Sequence, residues 1–549
     1  MTLTARHYAL VAAFVLALFL PGRASLPPLD RDEPRYLEAT AQMLRSHDFV
    51  DVRFQDQPRY LQPGGIYWLE AAAVAATGTL EQRQVWAYRI PTLIAVIISV
   101  LLTARMGAAL FGVRTGLIGA LLLAVSVLMT AEGRMATIDS CLLAAILALQ
   151  TALLRAWSDR DETRSTRPGI AVLFWAALGI GLMLKGPVML IPALATPAAL
   201  ALVERRTDWW HRLRPAWGVP LMLAIVLPWC IAIALVSHGL FFERAVGTNF
   251  LGKVASGQQS HGLPPGYHLA VFAIAFWPGS LFAAMAIPFV WMRRRTPQVR
   301  FLLCWIVPHW LVFELIATKL PHYVLPTYPA IALLAAASVT QAGGWRPPAA
   351  LWGRIALAVY GLVWLALGTA LTIAGPVLLW RLQHQWLPAA ALIPVLSLPL
   401  VLLSGWLVVR GRLQDGVMSV AGAAVIVYFG LFSVVLPHMT SIWLSPQIVR
   451  TVELVRPCPA SVLASASFSE PSLVFLVGQQ TRLVNADGAA DFLDGDRSCG
   501  LALIGTRDEA AFHARLATHD LAVRQLALIE GINYSTGRHL DLKLFEVKR

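Results

Sequence analysis

Apolar segments of spanning length recur along most of this chain, and nothing constrains its fold more. A helix that crosses a bilayer needs about 20 mostly apolar residues and satisfies its backbone polar groups within itself. About thirteen such segments can be placed. They cover residues 7–22, 89–112, 115–131, 136–156, 169–184, 186–203, 217–237, 266–292, 298–317, 321–340, 351–379, 386–409 and 415–438. With 57% hydrophobic and 14% charged residues, the chain is outside the soluble globular class. The expectation is a polytopic α-helical membrane protein. For the first segment alone there is a rival reading, a cleaved signal peptide, since Arg6 precedes a short apolar run and Gly22-Arg23-Ala24 resembles a cleavage site.

The net charge of +13 would suit nucleic acid if it formed one patch, but it is split among loops. Arg155, Arg160, Arg164 and Arg167 follow the fourth segment, Arg205, Arg206, Arg212 and Arg214 the sixth, and Arg293, Arg294, Arg295 and Arg300 the eighth. All therefore fall on one side, which the positive-inside rule makes the cytoplasm. The basic excess reads as topology, with no nucleic-acid partner. It puts the N-terminus inside and the chain after the last segment outside.

Near Ser445 the composition turns ordinary. The expected division is a membrane domain over 1–440, with outer-face loops 23–88 and 238–265, and a small outer α/β domain over 445–549. Strands are expected at 461–466, 472–477, 501–504 and 540–547, and a helix from a Thr506–Glu509 capping box to about 518. Cys141, Cys230 and Cys304 lie in apolar segments, whereas Cys458 and Cys499 lie in the outer tail, where oxidising conditions favour a disulfide. No metal-ligand spacing is present, and no cofactor is implied.

The polar chemistry collects at the outer ends of the segments. The first loop carries Asp30-Arg31-Asp32-Glu33-Pro34-Arg35-Tyr36, then Arg59-Tyr60-Leu61-Gln62-Pro63 and an Ala-rich helix near 66–77. A carboxylate cluster with adjacent guanidinium groups can supply a general base, a partner that tunes it, and cations for an anion. Glu132 and Arg134 sit at the third–fourth hairpin, and Asp139 follows about 8 Å further along the helix. Lys185-Gly186-Pro187 turns the fifth–sixth hairpin. The 238–265 loop holds Lys253 and His261, and the ninth–tenth hairpin holds Lys319, His322 and Tyr323. The middles of the segments hold almost no ionisable groups, His309 excepted. Transporters keep their polar sites near the midplane, so a lipid or sugar transporter is the weaker reading from another class, as is a catalytically silent assembly or sensor protein.

In order along one face, Asp32-Glu33-Pro34-Arg35-Tyr36, Lys185-Gly186-Pro187, His261-Gly262 with Pro264-Pro265-Gly266-Tyr267, Thr318-Lys319-Leu320-Pro321-His322-Tyr323 and Gly531-Ile532-Asn533-Tyr534-Ser535 resemble the 4-amino-4-deoxy-L-arabinose transferases of lipid A. That family belongs to the protein-mannosyltransferase-like, GT-C glycosyltransferases. The resemblance implies a multi-pass protein of a bacterial inner membrane with a cytoplasmic N-terminus and a periplasmic tail. It implies inverting transfer of a sugar from a polyprenyl (undecaprenyl) phosphate donor to lipid A or another glycan or lipid acceptor, without a nucleotide sugar.

Carried over residue by residue, the resemblance makes Asp32 the catalytic carboxylate, Glu33 its neighbour and Asp139 a second acidic position, and all three are expected to be catalytic. Arg35 and Tyr323 become donor-phosphate contacts, and Lys253 matches a basic phosphate ligand. Arg59, Lys185, Lys319 and His322 are expected at the same phosphate, and Glu132, Arg134 and His261 at the sugar or acceptor. One departure stands out: Gln62 occupies the place of a family lysine close to that phosphate. Glutamine brings a hydrogen bond without a charge, so Arg59, Lys185 or Lys319 has to supply the cation. Transfer of a hexose, mannose or uronic acid to lipopolysaccharide core or to protein is the alternative within the enzyme class.

Overall fold

The computed structural model describes residues 3–158, 168–252 and 262–548. Among them, nine helices are long and apolar enough to cross a membrane, or up to ten when the bent pair Tyr267–Ala275 and Gly279–Arg293 is one span. This is fewer than the expected thirteen for three physical reasons. Ala5–Phe19 is a short apolar helix. Residues 115–131 are split into Val113–Ala124 and Val127–Glu132. The helical stretch Pro168–Glu204 contains two of the expected segments.

That last stretch folds back on itself. Its Lys185 meets Asp139 at the start of the Ile138–Ser158 helix (2.6 Å), while its Glu204 accepts from the Trp157 indole at that helix's end (3.0 Å). Pro168–Lys185 therefore runs toward the end of the bundle that carries Asp139 and Leu190–Glu204 returns. Gly186 makes the turn at φ +60°, a conformation that glycine alone adopts without strain. The other two breaks meet each other. Tyr267–Ala275 and Gly279–Arg293 are bent by 119°, and the Val127 amide donates to the Trp277 carbonyl (3.0 Å) across the gap in 115–131. Each broken helix thus satisfies backbone groups that the other frees.

The loop after the first apolar helix is a compact layer. It contains the Glu33–Ser46 helix, the paired strands Arg53–Phe54 and Gln57–Pro58, and the Gly65–Thr77 helix. Gly65 lies so close to the membrane hairpin that a Cβ there would sit 2.6 Å from the Met183 carbonyl oxygen. That approach pins Gln62 and Pro63 over Lys185.

Beyond the last apolar helix, Leu463–Ser465, Arg482–Leu483, Leu501–Gly505, Val523–Asn533 and Arg538–Val547 form a five-stranded mixed sheet. Its spatial order is Arg482–Leu483, Leu463–Ser465, Leu501–Gly505, Arg538–Val547 and Val523–Asn533. Residues 472–477, expected as a strand, belong instead to the Pro471–Val477 helix, where proline takes the first position. The expected 506–509 capping box is also replaced: the Glu509–Thr518 helix begins after Asp508. Cys458 and Cys499 are joined by a disulfide.

The tail domain is bolted to this loop. Arg83 donates to the Phe475 and Leu476 carbonyls (3.0 and 2.9 Å), and Gln55 to those of Gln479 and Thr481 (2.9 and 2.6 Å). The Asp30 carboxylate accepts from the Ser472 amide (3.0 Å) and hydroxyl (2.6 Å).

Candidate functional site

Two recesses flank the acidic loop. The first is a cavity of about 280 Å³ under Gln62 and Pro63, walled by Leu182, Met183, Trp229, Phe241 and Phe313 among other apolar side chains. Its polar end holds Gln62, Asp139, Lys185, Asn249, His322 and Tyr323. The second is a polar cleft of about 580 Å³ between the loop and the tail domain, which contains Arg31 and Arg35.

Charges in the cavity come in pairs. Lys185 donates to Asp139 (2.6 Å) and lies 5.6 Å from the centre of the Tyr323 ring. His322 faces Glu132 through Nδ1 (3.4 Å) and Asp139 through Nε2 (3.8 Å). An anion entering here meets a lysine already held by a carboxylate. It has to share or break that pair, so Asp139 sets how much of the Lys185 charge is available.

The loop closes the cavity through aromatic contacts. The Gln62 amide donates to the Tyr36 hydroxyl (2.6 Å), and Tyr36 stacks on Tyr67 with centroids 5.6 Å apart. Behind them Arg59 is buried, donates to the Tyr67 hydroxyl (2.9 Å) and lies 5.1 Å from the Tyr36 ring centre. Arg59 therefore acts on the cavity from behind the tyrosines and does not line it. Burial, with the Arg59 charge nearby, lowers the Arg35 pKa from its usual value.

Asp32 and Glu33 are neighbours with opposite surroundings. The Asp32 side chain is 74% exposed at the start of the Glu33–Ser46 helix, 3.7 Å from Arg35. Glu33 is saturated: Arg89 grips both its oxygens (2.8 Å each), and the Leu29 and Ala136 amides donate to it (2.7 Å each). This corrects the expectation of Glu33 as a reagent, since no lone pair faces open space. The residue braces the loop onto the membrane helices.

Several other expected residues are also placed outside the cavity. Arg134 is buried under the loop, donating to the Thr130 (2.9 Å) and Leu18 carbonyls with its guanidinium over the Phe432 ring, and cannot reach a sugar. Lys319 is buried with Nζ on the Ile316 carbonyl. Glu132 holds His322 instead of facing an acceptor. His309 is buried with Nε2 on the Tyr323 carbonyl (3.3 Å). Lys253 and His261 lie outside the described residues.

Arg89, Tyr67 and Asp30 are the additions from the structure. A lone arginine at the mouth of an apolar segment was a legible signal for Arg89. Asp30 belonged to the acidic cluster but carried nothing that set it apart from Asp32. Among the described residues, no group of His, Cys, Asp and Glu forms a metal site.

Residues 63–231 match the dolichyl-phosphate-mannose-protein mannosyltransferase family. The chain is 29% identical over 344 residues to undecaprenyl phosphate-alpha-4-amino-4-deoxy-L-arabinose arabinosyl transferase 1 of Sodalis glossinidius, covering 60% of this chain and 58% of that one. It is 28% identical over 317 residues to the corresponding transferase of Pseudomonas paraeruginosa, covering 56% and 55%. The chain thus spans a little over half the length of these relatives. A crystal structure of ArnT from Cupriavidus metallidurans bound to undecaprenyl phosphate superposes with a TM-score of 0.75 at 19% identity, over 99% of this chain and 98% of that one. Along nearly its whole length, this chain is a multi-pass membrane protein whose fold is similar to that of ArnT.

Proposed function

We propose that this protein is an integral-membrane glycosyltransferase of a bacterial inner membrane. It moves a sugar from a polyprenyl (undecaprenyl) phosphate donor to lipid A or another glycan or lipid acceptor at the periplasmic face, with inversion. The arginine-rich loops support a cytoplasmic N-terminus and a periplasmic tail domain. The observation that carries the reading is the cavity itself: apolar walls for a lipid chain end at Lys185, His322 and Tyr323, below a loop that exposes Asp32.

The chemistry is direct displacement. An acceptor oxygen forms a bond to the anomeric carbon as the bond from that carbon to the phosphate oxygen breaks, and polyprenyl phosphate leaves. When the acceptor is a hydroxyl, Asp32 takes its proton; when it is a phosphate, Asp32 orients it. Negative charge grows on the leaving phosphate, where Lys185, His322 and the Tyr323 hydroxyl stabilise it more than in the ground state. Gln62 adds a neutral donor, and Asn249, whose amide donates to the Leu61 carbonyl (2.8 Å), holds the segment that carries it.

The test is mass spectrometry of lipid A and core from cells with and without the protein, with Asp32→Asn as the control. Loss of a pentosamine mass establishes aminoarabinose transfer. Loss of a hexose or uronic acid mass keeps the mechanism and changes the sugar. Unchanged glycolipids and glycans, together with solute uptake that depends on the protein, would overturn the reading in favour of a transporter.

A further inference from the structure

The second recess has no role in that chemistry, yet its lining includes Arg35, which lies 3.7 Å from Asp32. One wall is the acidic loop, with Arg31 and Arg35 on either side of the Asp32 position; the other is the tail domain, with Arg507 and Arg538. The two walls are fixed to each other where Asp30 accepts from Ser472.

The charges in this cleft are unevenly committed. Each acid has a partner of its own: Asp508 accepts from the Ser467 hydroxyl, Glu470 from the Asn533 amide (2.9 Å), and Asp541 faces His539 (3.5 Å). Among the described residues, by contrast, Arg31, Arg507 and Arg538 make no ion pair, and Arg35 has only Asp32 at 3.7 Å. Arg31 and Arg35 also sit at the N-terminal end of the Glu33–Ser46 helix, where the helix dipole disfavours cations. Two arginines in that place do nothing for helix stability; with an anion bound between them and the helix end, both the dipole and the guanidinium groups become favourable.

We propose that this cleft binds the phosphate of a phosphorylated glycolipid acceptor, held by Arg31 and Arg35 on the loop and by Arg507 and Arg538 on the tail domain. Such an acceptor is gripped from both walls with its reacting oxygen beside Asp32, while the donor occupies the apolar cavity on the other side of the loop. The tail domain is then a recognition element for the acceptor. The inference deepens the glycosyltransferase reading and rests on it for the identity of the occupant.

The experiment uses the full chain in nanodiscs. The probes are a short-chain bisphosphorylated glucosamine disaccharide, the same disaccharide without phosphates, and a short-chain polyprenyl phosphate. The variant is Arg507→Gln/Arg538→Gln; both side chains are exposed, so folding is retained. Removing two solvated phosphate contacts should weaken the bisphosphorylated disaccharide roughly tenfold. The dephosphorylated probe and the polyprenyl phosphate should be unaffected, and the wild-type advantage should shrink as salt rises.

Three results would overturn the proposal: equal disaccharide affinity in variant and wild type, an equal loss for the dephosphorylated probe, or an equal loss for polyprenyl phosphate, which would make the cleft part of the donor site. Arg31→Gln provides the same reading from the opposite wall. A wild-type protein that binds the disaccharide through these arginines but never binds polyprenyl phosphate supports the cleft and instead breaks the donor assignment.

Discussion

In the cavity under Gln62, Lys185 and His322 face Asp139 and Glu132 across 2.6–3.8 Å, whereas in the cleft beside Asp32 three of four arginines have no carboxylate within ion-pairing distance among the described residues. The difference follows from the solvent each recess has to exclude. Apolar walls make an unpaired charge expensive, so the cavity neutralises its cations before any ligand arrives. The cleft is polar and open to water, where an unpaired guanidinium costs little and remains available. A lipid-borne phosphate therefore enters the cavity by exchange and enters the cleft by attraction. The first should depend on geometry, and the second on ionic strength.

The largest expected effect lies between the two recesses. Asp32→Asn keeps the shape of the loop and removes the base, so transfer should fall about 10²–10⁴-fold, the range for a lost general base. Binding of polyprenyl phosphate should be unchanged. Single-turnover rates with the donor prebound measure the two separately. Turnover like the wild type would mean that Asp32 belongs to neither recess.

Next in size is the brace. Glu33 and Arg89 are both buried, and breaking such a pair from one side costs about 3–5 kcal/mol. Arg89→Ala should therefore lower thermal stability strongly, read as the unfolding midpoint in detergent, and Glu33→Ala should do the same. A Glu33→Ala protein of normal stability without activity would instead make Glu33 a reagent and erase the contrast with Asp32.

A third prediction addresses the paired charges. Lys185→Met removes a charged hydrogen bond worth about 1.5–3 kcal/mol, so polyprenyl phosphate should bind roughly 10–100-fold more weakly. Asp139→Asn frees the lysine and should strengthen binding of the bare phosphate. Titration of both variants with a short-chain polyprenyl phosphate checks this. If Asp139→Asn weakens binding as much as Lys185→Met does, the pair works as one unit, and exchange is the wrong picture.

The line between what the sequence discloses and what it conceals runs along the same contrast. Apolar length is a one-dimensional signal, so the membrane segments and the Lys185-Gly186 turn can be read directly. The 119° bend and the gap at 125–126 cannot, because the two breaks meet through a backbone contact between Val127 and Trp277, which are distant in the chain. Residues 472–477 read as a strand because a short apolar run fits either period. The site shows the same pattern. Lys185, His322, Tyr323 and Gln62 do meet at one cavity, since their motifs mark the rim. Glu33 and Arg134 carry equally good chemistry at the same rim, yet partners remote in sequence bury them, and Lys319 is buried with its ammonium turned onto the nearby Ile316 carbonyl.

The smallest effect concerns the hinge between the recesses. Burial pushes the Asp30 carboxyl up from 3.8 to about 7, with Glu470 adding to the rise, while the Ser472 hydrogen bonds and Arg35 pull it down. The Tyr534 hydroxyl contacts the Asp30 amide as well (2.5 Å). With the tail domain lifted away, the carboxyl returns to its ordinary value. A pKa higher when docked than when free means that docking takes up a proton. Docking is therefore strongest below about pH 4, weakens as pH rises toward about 7, and is level beyond that. Asp30→Asn holds the neutral form and should remove the dependence. Hydrogen exchange of the Pro471–Val477 helix measures this, because the ratio of wild type to variant at each pH cancels the intrinsic exchange chemistry. The ratio should grow by a few-fold between pH 4 and 7, a modest change because Asp30 is only partly buried and water screens it. A ratio that stays constant would uncouple Asp30 from docking and leave Arg83 and Gln55 to hold the tail domain against the loop.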